Sequence, residues 1–383
     1  MQKLGINRED LKRKNRGLAL KLVATGQCGS RIELSKKTGL TKTAISQIVN
    51  ELIENGLLTE THKKSINDVG RKPMGLTVAP DAPKCIGVLL QRGYGEAVLC
   101  DMQMNILNYR KIEKEWYTGD ELMESVYELV DAVMPEDGNV FGIGAASVGP
   151  VNVNEGKIVN PAFFNHVANV EVERLLRERY GLPVSLDHDN QSAALAEKLF
   201  GNGRSCKDIL LVGIGDGVGC GIIVQDERYQ SYSGYAPEIG HVSIDYHGKA
   251  CFCGNKGCLE NYIRSAVVKK RMREATGWDM SYKEFCSRCD CPAIDEIIRD
   301  VIEKLGIAIT SVLNMLNSDM IILGLDGVYW PDTYIDLLEE NINRGKYGNK
   351  EVRTRVKKAY FMEKAHVLGA ACNILDKVFQ GNY

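Results

Sequence analysis

The sequence lacks any run of about 18 or more apolar residues, the minimum for a membrane-spanning helix. Its first ten residues are mostly polar, unlike the apolar stretch of a secretory signal. We therefore expect a cytoplasmic protein without a membrane partner, whose 12 cysteines are reduced thiols or metal ligands and not disulfides. A length of 383 residues, with 44% hydrophobic and 26% charged residues, predicts two or three globular domains.

A large net charge is also missing, since the whole chain carries only −2, but the charge is unevenly distributed. Residues 1–80 carry 15 Lys and Arg against 7 Asp and Glu, whereas residues 81–383 carry 33 against 43. A basic segment joined to an acidic body is typical of a small nucleic-acid-binding domain attached to a domain of another function, because neutralising phosphates releases counterions. A basic segment can also be a solvated surface only.

The basic segment has the pattern of a winged helix-turn-helix. Apolar periodicity predicts three helices, over residues 11–24, 30–39 and 41–55. Ser30 and Glu33 form a predicted capping box, Gly39 predicts the end of the second helix, and Thr41 can cap the third. Two short helices joined by so tight a turn favour a DNA-binding domain over a solvated helical hairpin.

The outer face of the third helix carries side chains that can contact phosphates or read base edges in a major groove. These predicted DNA-binding residues are Lys42, Thr43, Ser46, Gln47 and Asn50. A strand is predicted to start at Leu57, and a wing follows it with Lys63 and Lys64. Arg71 and Lys72, next to Pro73, form a basic stretch that can enter a minor groove or serve only as a linker.

The acidic body is predicted to be an α/β structure with an internal duplication. Residues 85–101 read as strand, glycine-containing turn and strand, and residues 209–226 repeat this design. Further strands are predicted over 140–146 and 320–323, and helices over 120–134, 172–180, 192–200 and 294–316. Strands alternating with helices define the α/β class.

A metal-binding knuckle is the strongest local signal in the body. An imidazole and three thiolates suit tetrahedral zinc, and the glycines between the cysteines permit the turn; the predicted ligands are His241, Cys251, Cys253 and Cys258. Four protein ligands close the site, so the zinc is expected to be structural; free thiols are the alternative. A second cluster is interpreted as free or core thiols, with another metal site as the alternative: Cys286, Cys289 and Cys291.

Three acidic residues lie close to these motifs in the sequence. Asp189 is in an Asp-His-Asp-Asn segment, Glu238 precedes His241 by three residues, and Glu260 follows Cys258 by two. Carboxylates held near a rigid knuckle can accept hydrogen bonds from sugar hydroxyls. Each of them, taken alone, is more typical of a solvated surface residue.

These segments together resemble the ROK family of sugar kinases and sugar-responsive repressors. The resemblance rests on Glu238-Ile239-Gly240-His241, the cysteine knuckle, the segment 188–194, the glycines of 213–221 and Gly369-Ala370-Ala371, and it covers about residues 84–380. The head resembles the winged helix of the repressor branch. The resemblance implies an actin-like, ribonuclease H-like fold of two lobes, with residues 1–80 as DNA-binding domain and linker and residues 81–383 as the sugar-binding and oligomerisation domain. The lobes are expected at about 81–190 with the C-terminal helix, and at 191–365.

The resemblance also implies roles for single residues. Asp189 is at the position of the kinase base, and the sugar-binding positions are His188, Asp189, Glu238, His241 and Glu260. The first phosphate loop departs from the kinases, because Leu89-Leu90-Gln91-Arg92-Gly93 lacks the acidic residue and the bare backbone that a nucleotide needs. Asp216 adds a charge to the second glycine loop that repels phosphate.

The sequence therefore predicts a sugar-responsive repressor, not an enzyme, that binds a palindromic operator as a homodimer or tetramer. A xylose repressor is favoured, while glucose, N-acetylglucosamine and a phosphorylated sugar remain open as effectors. Two alternatives are kept. The first is an active ATP-dependent sugar kinase with a DNA-binding arm. The second is a protein whose zinc-containing body only dimerises the DNA-binding head and binds no effector.

Overall fold

The N-terminal part of the protein is a compact group of helices and a small sheet, which we call the head. The computed structural model describes residues 7–62, 74–348 and 351–382. The elements of the head are α1 (Arg8–Ala24), α2 (Arg31–Thr38), α3 (Lys42–Glu54), β1 (Leu58–His62) and β2 (Met74–Val78), of which β1 and β2 pair antiparallel. The wing lysines Lys63 and Lys64, and Arg71 and Lys72, lie outside the described residues.

Local sequence signals set the helix ends of the head largely as predicted; of the predicted capping box, the reciprocal bond to the Glu33 carboxylate comes from the Gly29 N–H, one residue before the cap. The side chain of Ser30 accepts a hydrogen bond from the Glu33 N–H, and that of Thr41 accepts one from the Ala44 N–H. Gly39 closes α2 in the left-handed conformation, with a φ of 73°. These caps fix the short turn that places α3 against α2.

Two five-stranded sheets form the rest of the protein, each with helices packed on it. The first part contains β3 (Lys84–Gln91), β4 (Tyr94–Cys100), β5 (Ile106–Glu113), α4 (Gly119–Val133), β6 (Val140–Ser147), β7 (Val151–Asn152), β8 (Lys157–Ile158), α5 (Val172–Tyr180) and β9 (Val184–His188). Its sheet has the order β5-β4-β3-β6-β9, and β7 pairs with β8 alone.

The second part starts with α6 (Asp189–Leu199), β10 (Ile209–Ile214), β11 (Val218–Val224) and β12 (Glu227–Arg228). It continues with α7 (Glu260–Ile263), α8 (Ser265–Thr276), α9 (Tyr282–Cys286), α10 (Pro292–Leu316), β13 (Met320–Leu325), α11 (Asp332–Gly345), β14 (Arg355–Lys358) and α12 (Ala365–Phe379). Its sheet has the order β12-β11-β10-β13-β14. Three short 3-10 helices cover Ile239–His241, Asp326–Tyr329 and Met362–Lys364.

The two sheets share one design, which confirms the predicted duplication and the α/β class. In each, the first three strands run antiparallel in succession; the first strand also pairs in parallel with a fourth strand, which pairs in parallel with a fifth. Several elements differ by a few residues from their predicted bounds. The most consequential difference is in α6, which starts at Asp189 and not at residue 192, because β9 runs into the helix without a loop.

Two buried helices join these parts. Every residue of α6 is buried, and α12 packs against both α6 and the first sheet. The helices and the sheet approach so closely that side chains are excluded at the crossing points. A Cβ at Gly144 would lie 1.8 Å from the Ala370 carbonyl oxygen, and one at Gly369 would lie 2.4 Å from the carbonyl carbon of Ser192.

The head packs directly on the end of α12. A Cβ at Gly17 in α1 would lie 2.2 Å from the Phe379 carbonyl oxygen, so only glycine permits this contact. Arg204, which follows α6, donates a hydrogen bond of 2.5 Å to the carbonyl oxygen of Thr25 at the end of α1. The buried apolar residues of the head and of α12 form one continuous cluster. Among the described residues, no helix has both the length and the apolarity needed to cross a membrane.

Candidate functional site

A cavity of about 260 Å³ lies between the two sheets, at the ends of their central strands. Its wall is mostly polar and brings together residues that are up to 234 positions apart in the sequence, from Gln91 to Leu325. The polar lining residues are Gln91, Arg92, Asn160, His188, Asp189, Asn190, Asp216, Glu238, His241 and Glu260. All five predicted sugar-binding residues therefore line one cavity of a size suited to a small polar molecule.

His188 and Asp189 lie where β9 meets α6, and both are almost fully buried. The Asp189 Oδ1 accepts hydrogen bonds from the backbone N–H and the side-chain Nδ2 of Asn190, at 2.6 and 2.8 Å. The His188 Nδ1 is 3.1 Å from the same oxygen, without the alignment of a hydrogen bond. The Asp189 carboxylate is thus held rigidly by its own helix.

The turn after β3 sends two side chains into this cavity. The Gln91 Nε2 donates a hydrogen bond of 2.5 Å to the Asp189 Oδ2, and the Arg92 Nε donates one of 2.9 Å to the carbonyl oxygen of Ala162. From the sequence, Gln91 and Arg92 were predicted only to prevent nucleotide binding at the first phosphate loop. In the structure both residues form part of the cavity wall. Gln91 also donates a hydrogen bond to one carboxylate oxygen of Asp189.

The turn between β10 and β11 faces the cavity from the opposite sheet. Gly215, Asp216 and Gly217 form a tight turn in which the Gly215 N–H donates to the Gly217 carbonyl oxygen. The predicted extra charge of Asp216 is exposed there and lines the cavity. Leu325, at the end of β13, adopts a left-handed φ of 51° beside this turn.

Glu238 and Glu260 provide carboxylates on the second side of the cavity. Glu238 as a whole residue is exposed, but the protein around its carboxyl group limits solvation of the charge and thereby raises the pKa of Glu238. The nearby His188 and His241 act in the opposite direction and lower this pKa. Glu260 is the first residue of α7, and its Oε1 lies 3.9 Å from the His241 Nε2. These side chains can accept hydrogen bonds from hydroxyl groups of a bound molecule.

The four predicted metal ligands lie together beside this wall. One ligand atom from each of His241, Cys251, Cys253 and Cys258 lies within 4.8 Å of the other three, and this is the only such metal-ligating group in the part of the chain that the structure describes. The Cys253 and Cys258 sulfurs are 3.7 Å apart, and the His241 Nδ1 is 3.6 Å from the Cys251 sulfur. Two sulfurs bound to one tetrahedral zinc are about 3.8 Å apart, so the cluster has the size of a metal site.

The two nitrogens of His241 connect the cluster with the cavity. Nδ1 faces the cysteines, while Nε2 faces Glu260. A backbone hydrogen bond from Asn255 lowers the pKa of the Cys253 thiol, whereas burial raises that of Cys258 to about 12. A cation placed among the sulfurs favours the thiolate form of each cysteine. In the second cysteine group, the Cys289 thiol donates to the carbonyl oxygen of Cys286.

The predicted DNA-contacting face of α3 lies on the surface of the head. Lys42, Thr43, Gln47 and Asn50 are exposed, and Ser46 is half-buried. The Asn50 side chain is not free, because its Oδ1 accepts a hydrogen bond of 2.8 Å from the Arg31 Nη2. No sequence signal indicated this partner, which comes from α2.

Comparison with known proteins places this architecture in a family. A profile of the ROK family matches residues 85–377, and the chain belongs to that family. The xylose repressor of Caldicellulosiruptor bescii is 26% identical over 388 residues, with 96% of each chain covered.

Solved structures separate two groups of relatives. A ROK family transcriptional regulator described as a homologue of the Escherichia coli Mlc protein is 27% identical, has a TM-score of 0.82, and aligns over 97% of this chain and 98% of its own. A ROK family glucokinase from Streptomyces griseus, solved with glucose and AMPPNP, has a TM-score of 0.66 at 21% identity. The alignment includes 98% of the glucokinase but only 76% of this chain. The kinase fold thus corresponds to the two-sheet part, and the regulator matches nearly the whole chain.

Proposed function

We propose that the protein is a sugar-responsive transcriptional repressor of carbohydrate-utilisation genes. The observation that carries the proposal is that one chain combines a polar cavity of monosaccharide size with a basic helical head. It is supported by a relative named as a xylose repressor and a solved structure named as a transcriptional regulator, each of which aligns over nearly the whole chain. The head acts as a winged helix-turn-helix that binds operator DNA. A homodimer or tetramer matches a palindromic operator, because two-fold symmetry in the protein requires it in the DNA.

The head is assigned the operator contacts. α3 enters the major groove with the exposed side chains of its first two turns, and Arg71 and Lys72 contact the minor groove or the backbone. The proposed operator-contacting residues of α3 are Lys42, Thr43, Ser46, Gln47 and Asn50. The proposed domain boundary is near residue 80, which places β1 and β2 with the head.

The effector is an uncharged monosaccharide. Four carboxylates, of Asp189, Asp216, Glu238 and Glu260, line the cavity against the single guanidinium of Arg92. Such a wall repels a phosphorylated sugar but accepts hydrogen bonds from several hydroxyl groups. Xylose is the first sugar to test, because a relative that aligns over nearly the whole chain is named a xylose repressor.

The protein is proposed to lack kinase activity. The Gln91 Nε2 competes with a substrate hydroxyl for the Asp189 Oδ2, and the other oxygen of Asp189 already accepts two hydrogen bonds from Asn190, so the residue is poorly placed to act as a kinase base. Gln91 and Arg92 also fill the turn that would approach a phosphate chain. The test is ADP release with a panel of sugars, where turnover above the background rate would contradict the proposal.

Zinc is the proposed metal of the cysteine cluster. His241, Cys251, Cys253 and Cys258 would hold it with no open position, so its contribution is to stabilise the loop and not to activate water. The same cluster supports the second wall of the cavity, because the ligand His241 itself lines the cavity and lies 3.9 Å from Glu260. Metal content measured by atomic emission, at one zinc per chain, is the expected result.

Sugar binding is proposed to change the orientation of the head through α6. This helix begins at Asp189 in the cavity and leads to Arg204, which binds the Thr25 carbonyl oxygen at the end of α1. α12 packs along the same helix and carries the head at its end. A sugar that binds more tightly to one relative position of the two sheets therefore favours one head position.

The experiment that tests the function is fluorescence anisotropy on duplex DNA from upstream of the protein's own gene and its neighbours, with and without a panel of monosaccharides. Release, or tightening, by one sugar is the expected result. Binding that no sugar alters would contradict the effector assignment and leave the head as a DNA-binding module. Failure to bind any upstream duplex would contradict the repressor assignment itself.

A further inference from the structure

A buried histidine lies at the start of α12, behind the wall of the cavity. His366 is the second residue of α12 and is only 1% exposed. Its Nε2 lies 3.2 Å from the Oδ1 of Asn190, the second residue of α6, while its Nδ1 is buried without a hydrogen-bond partner among the described residues. A buried polar atom without a partner lowers stability, so an apolar side chain would fill the core better. The histidine therefore needs an explanation other than packing.

The direction of the bond between His366 and Asn190 follows from their neighbours. The Asn190 Nδ2 donates to the Asp189 Oδ1 at 2.8 Å, so the amide oxygen is the atom that faces His366. An amide oxygen only accepts hydrogen bonds, so the His366 Nε2 carries the proton and Nδ1 does not. Burial lowers the pKa of His366, which keeps the ring neutral at neutral pH. A directed chain of hydrogen bonds thus runs from His366 through Asn190 to Asp189 in the cavity.

This bond crosses from one part of the protein to the other. α6 packs mainly on the second sheet, whereas α12 packs mainly on the first. Asn190 fits between β10 and β11 only beside glycines, since a Cβ at Gly213 would lie 1.9 Å from its Oδ1 and one at Gly219 would lie 2.6 Å from its Nδ2. On β13, a Cβ at Gly324 would lie 3.0 Å from the His366 Cε1. The glycines of the second sheet thus make room for the Asn190–His366 pair.

We propose that His366 is a positioning residue for the response to sugar, because its bond to Asn190 links Asp189 in the cavity to the helix that carries the head. A sugar that bonds to Asp189 acts on the Asn190 amide, which shares the same carboxylate, and His366 is the partner of that amide on α12. The far end of α12 contacts the head, where Gly17 meets Phe379. This inference rests on the proposed function, since it requires both a sugar and an operator.

The test compares His366→Leu with His366→Gln in the full-length protein, with xylose and the other monosaccharides as probes. Leucine removes the donor, whereas the glutamine amide nitrogen can take the place of Nε2 and donate to the Asn190 Oδ1. Calorimetry measures sugar affinity, and anisotropy measures operator affinity with and without sugar. Sugar should change the operator affinity of the wild type by about fivefold or more. In His366→Leu this change should fall below about twofold while sugar affinity stays within about threefold, and His366→Gln should restore most of the change.

The matched control is His247→Gln, which replaces an exposed histidine outside the cavity wall and should respond like the wild type. An undiminished response in His366→Leu would overturn the inference. So would a folded His366→Gln that responds no better than His366→Leu. If His366→Leu loses sugar affinity to the same extent as Asp189→Ala, His366 only supports the sugar site and does not carry the response.

A measurement on the wild-type protein keeps the inference testable even if His366→Leu does not fold. NMR of protein with isotopically labelled histidine nitrogens reports the tautomer of His366, whose signals are assigned by their loss in His366→Gln. Nε2 should carry the proton, and its signal should move when sugar is added. A proton on Nδ1, or a signal that sugar leaves unchanged, would overturn the inference. A wild-type protein whose operator affinity no sugar alters would instead contradict the proposed function, so the two failures are distinguishable.

Discussion

The two sheets share one strand order, yet the turns that join their first two strands have opposite characters. The turn after β3 extends Gln91 and Arg92 across the cavity, where they bond to Asp189 and Ala162. The turn after β10 keeps glycines on both sides of an exposed Asp216. The backbone of a duplicated fold can thus stay the same while the side chains at equivalent turns decide what the cleft binds.

The two sides of the cavity are also held in different ways. On the first side, a network of hydrogen bonds around Asp189 fixes the polar groups, whereas on the second side His241 belongs to the candidate metal-binding cluster and lies 3.9 Å from Glu260. The following four predictions perturb each side in turn and are ordered by the size of the expected effect.

Removing the central group of the first side should have the largest effect. Asp189→Ala deletes a buried acceptor and leaves the donors of Gln91 and Asn190 without a partner, so sugar affinity should fall about 100-fold. Isothermal titration calorimetry with xylose and the other monosaccharides measures this loss. Operator affinity without sugar should remain within about twofold, and an unchanged response to sugar would place the effector elsewhere.

Removing the metal should break the second side. Dialysis against a chelator, or Cys253→Ser, takes away the bonds that hold His241 and the start of α7, so sugar affinity should fall roughly 30-fold and the melting temperature by several degrees. Cys206→Ser, outside the cluster, is the matched control. Equal behaviour of the two variants would show that the cluster does not support the cavity.

Single substitutions in the two turns should separate their contributions to sugar affinity. Gln91→Ala removes one buried hydrogen bond to the Asp189 carboxyl group, and sugar affinity should fall about tenfold. Asp216→Asn, in the opposite turn, should change it by less than about twofold because the side chain is exposed. Calorimetry on both variants measures the two losses of sugar affinity. An equal loss in both would contradict the different roles assigned to the two turns.

The smallest predicted effect is a pH dependence from Glu238. Since the pKa of its carboxyl is raised, the carboxyl takes up a proton at a higher pH than the usual value of about 4.3. The protonated form accepts hydrogen bonds poorly, so sugar affinity should decline about threefold on acidification, beginning above that pH. Glu238→Gln should abolish this decline, and an identical pH profile in the variant would assign it to another group.

Features that depend on neighbouring residues could be predicted from the sequence. The caps at Ser30 and Thr41, the glycine end of α2 and the spacing of the metal ligands are local, and the structure contains all of them. Membership of the ROK family, inferred from short motifs, is confirmed. The start of α6 was placed three residues late, because Asp189 follows a strand without any turn signal.

Contacts between distant segments could not be predicted. Gln91 and Asp189 are 98 positions apart, and nothing in either segment indicates that one bonds to the other. Arg31 and Asn50 are only 19 apart, but their bond depends on the angle between two helices. The contacts assigned to Arg71 and Lys72 stay a prediction.

The docking of Gly17 against the end of α12 has a consequence for biosynthesis. The ribosome makes α1 about 340 residues before α12, which at roughly 5 to 20 residues per second is a delay of about 20 to 70 s. During that time the apolar face of α1, with Leu20 and Val23, has no partner from the end of the chain. The contact between α1 and α12 can therefore form only late, although both α1 and its partners within the head are made much earlier.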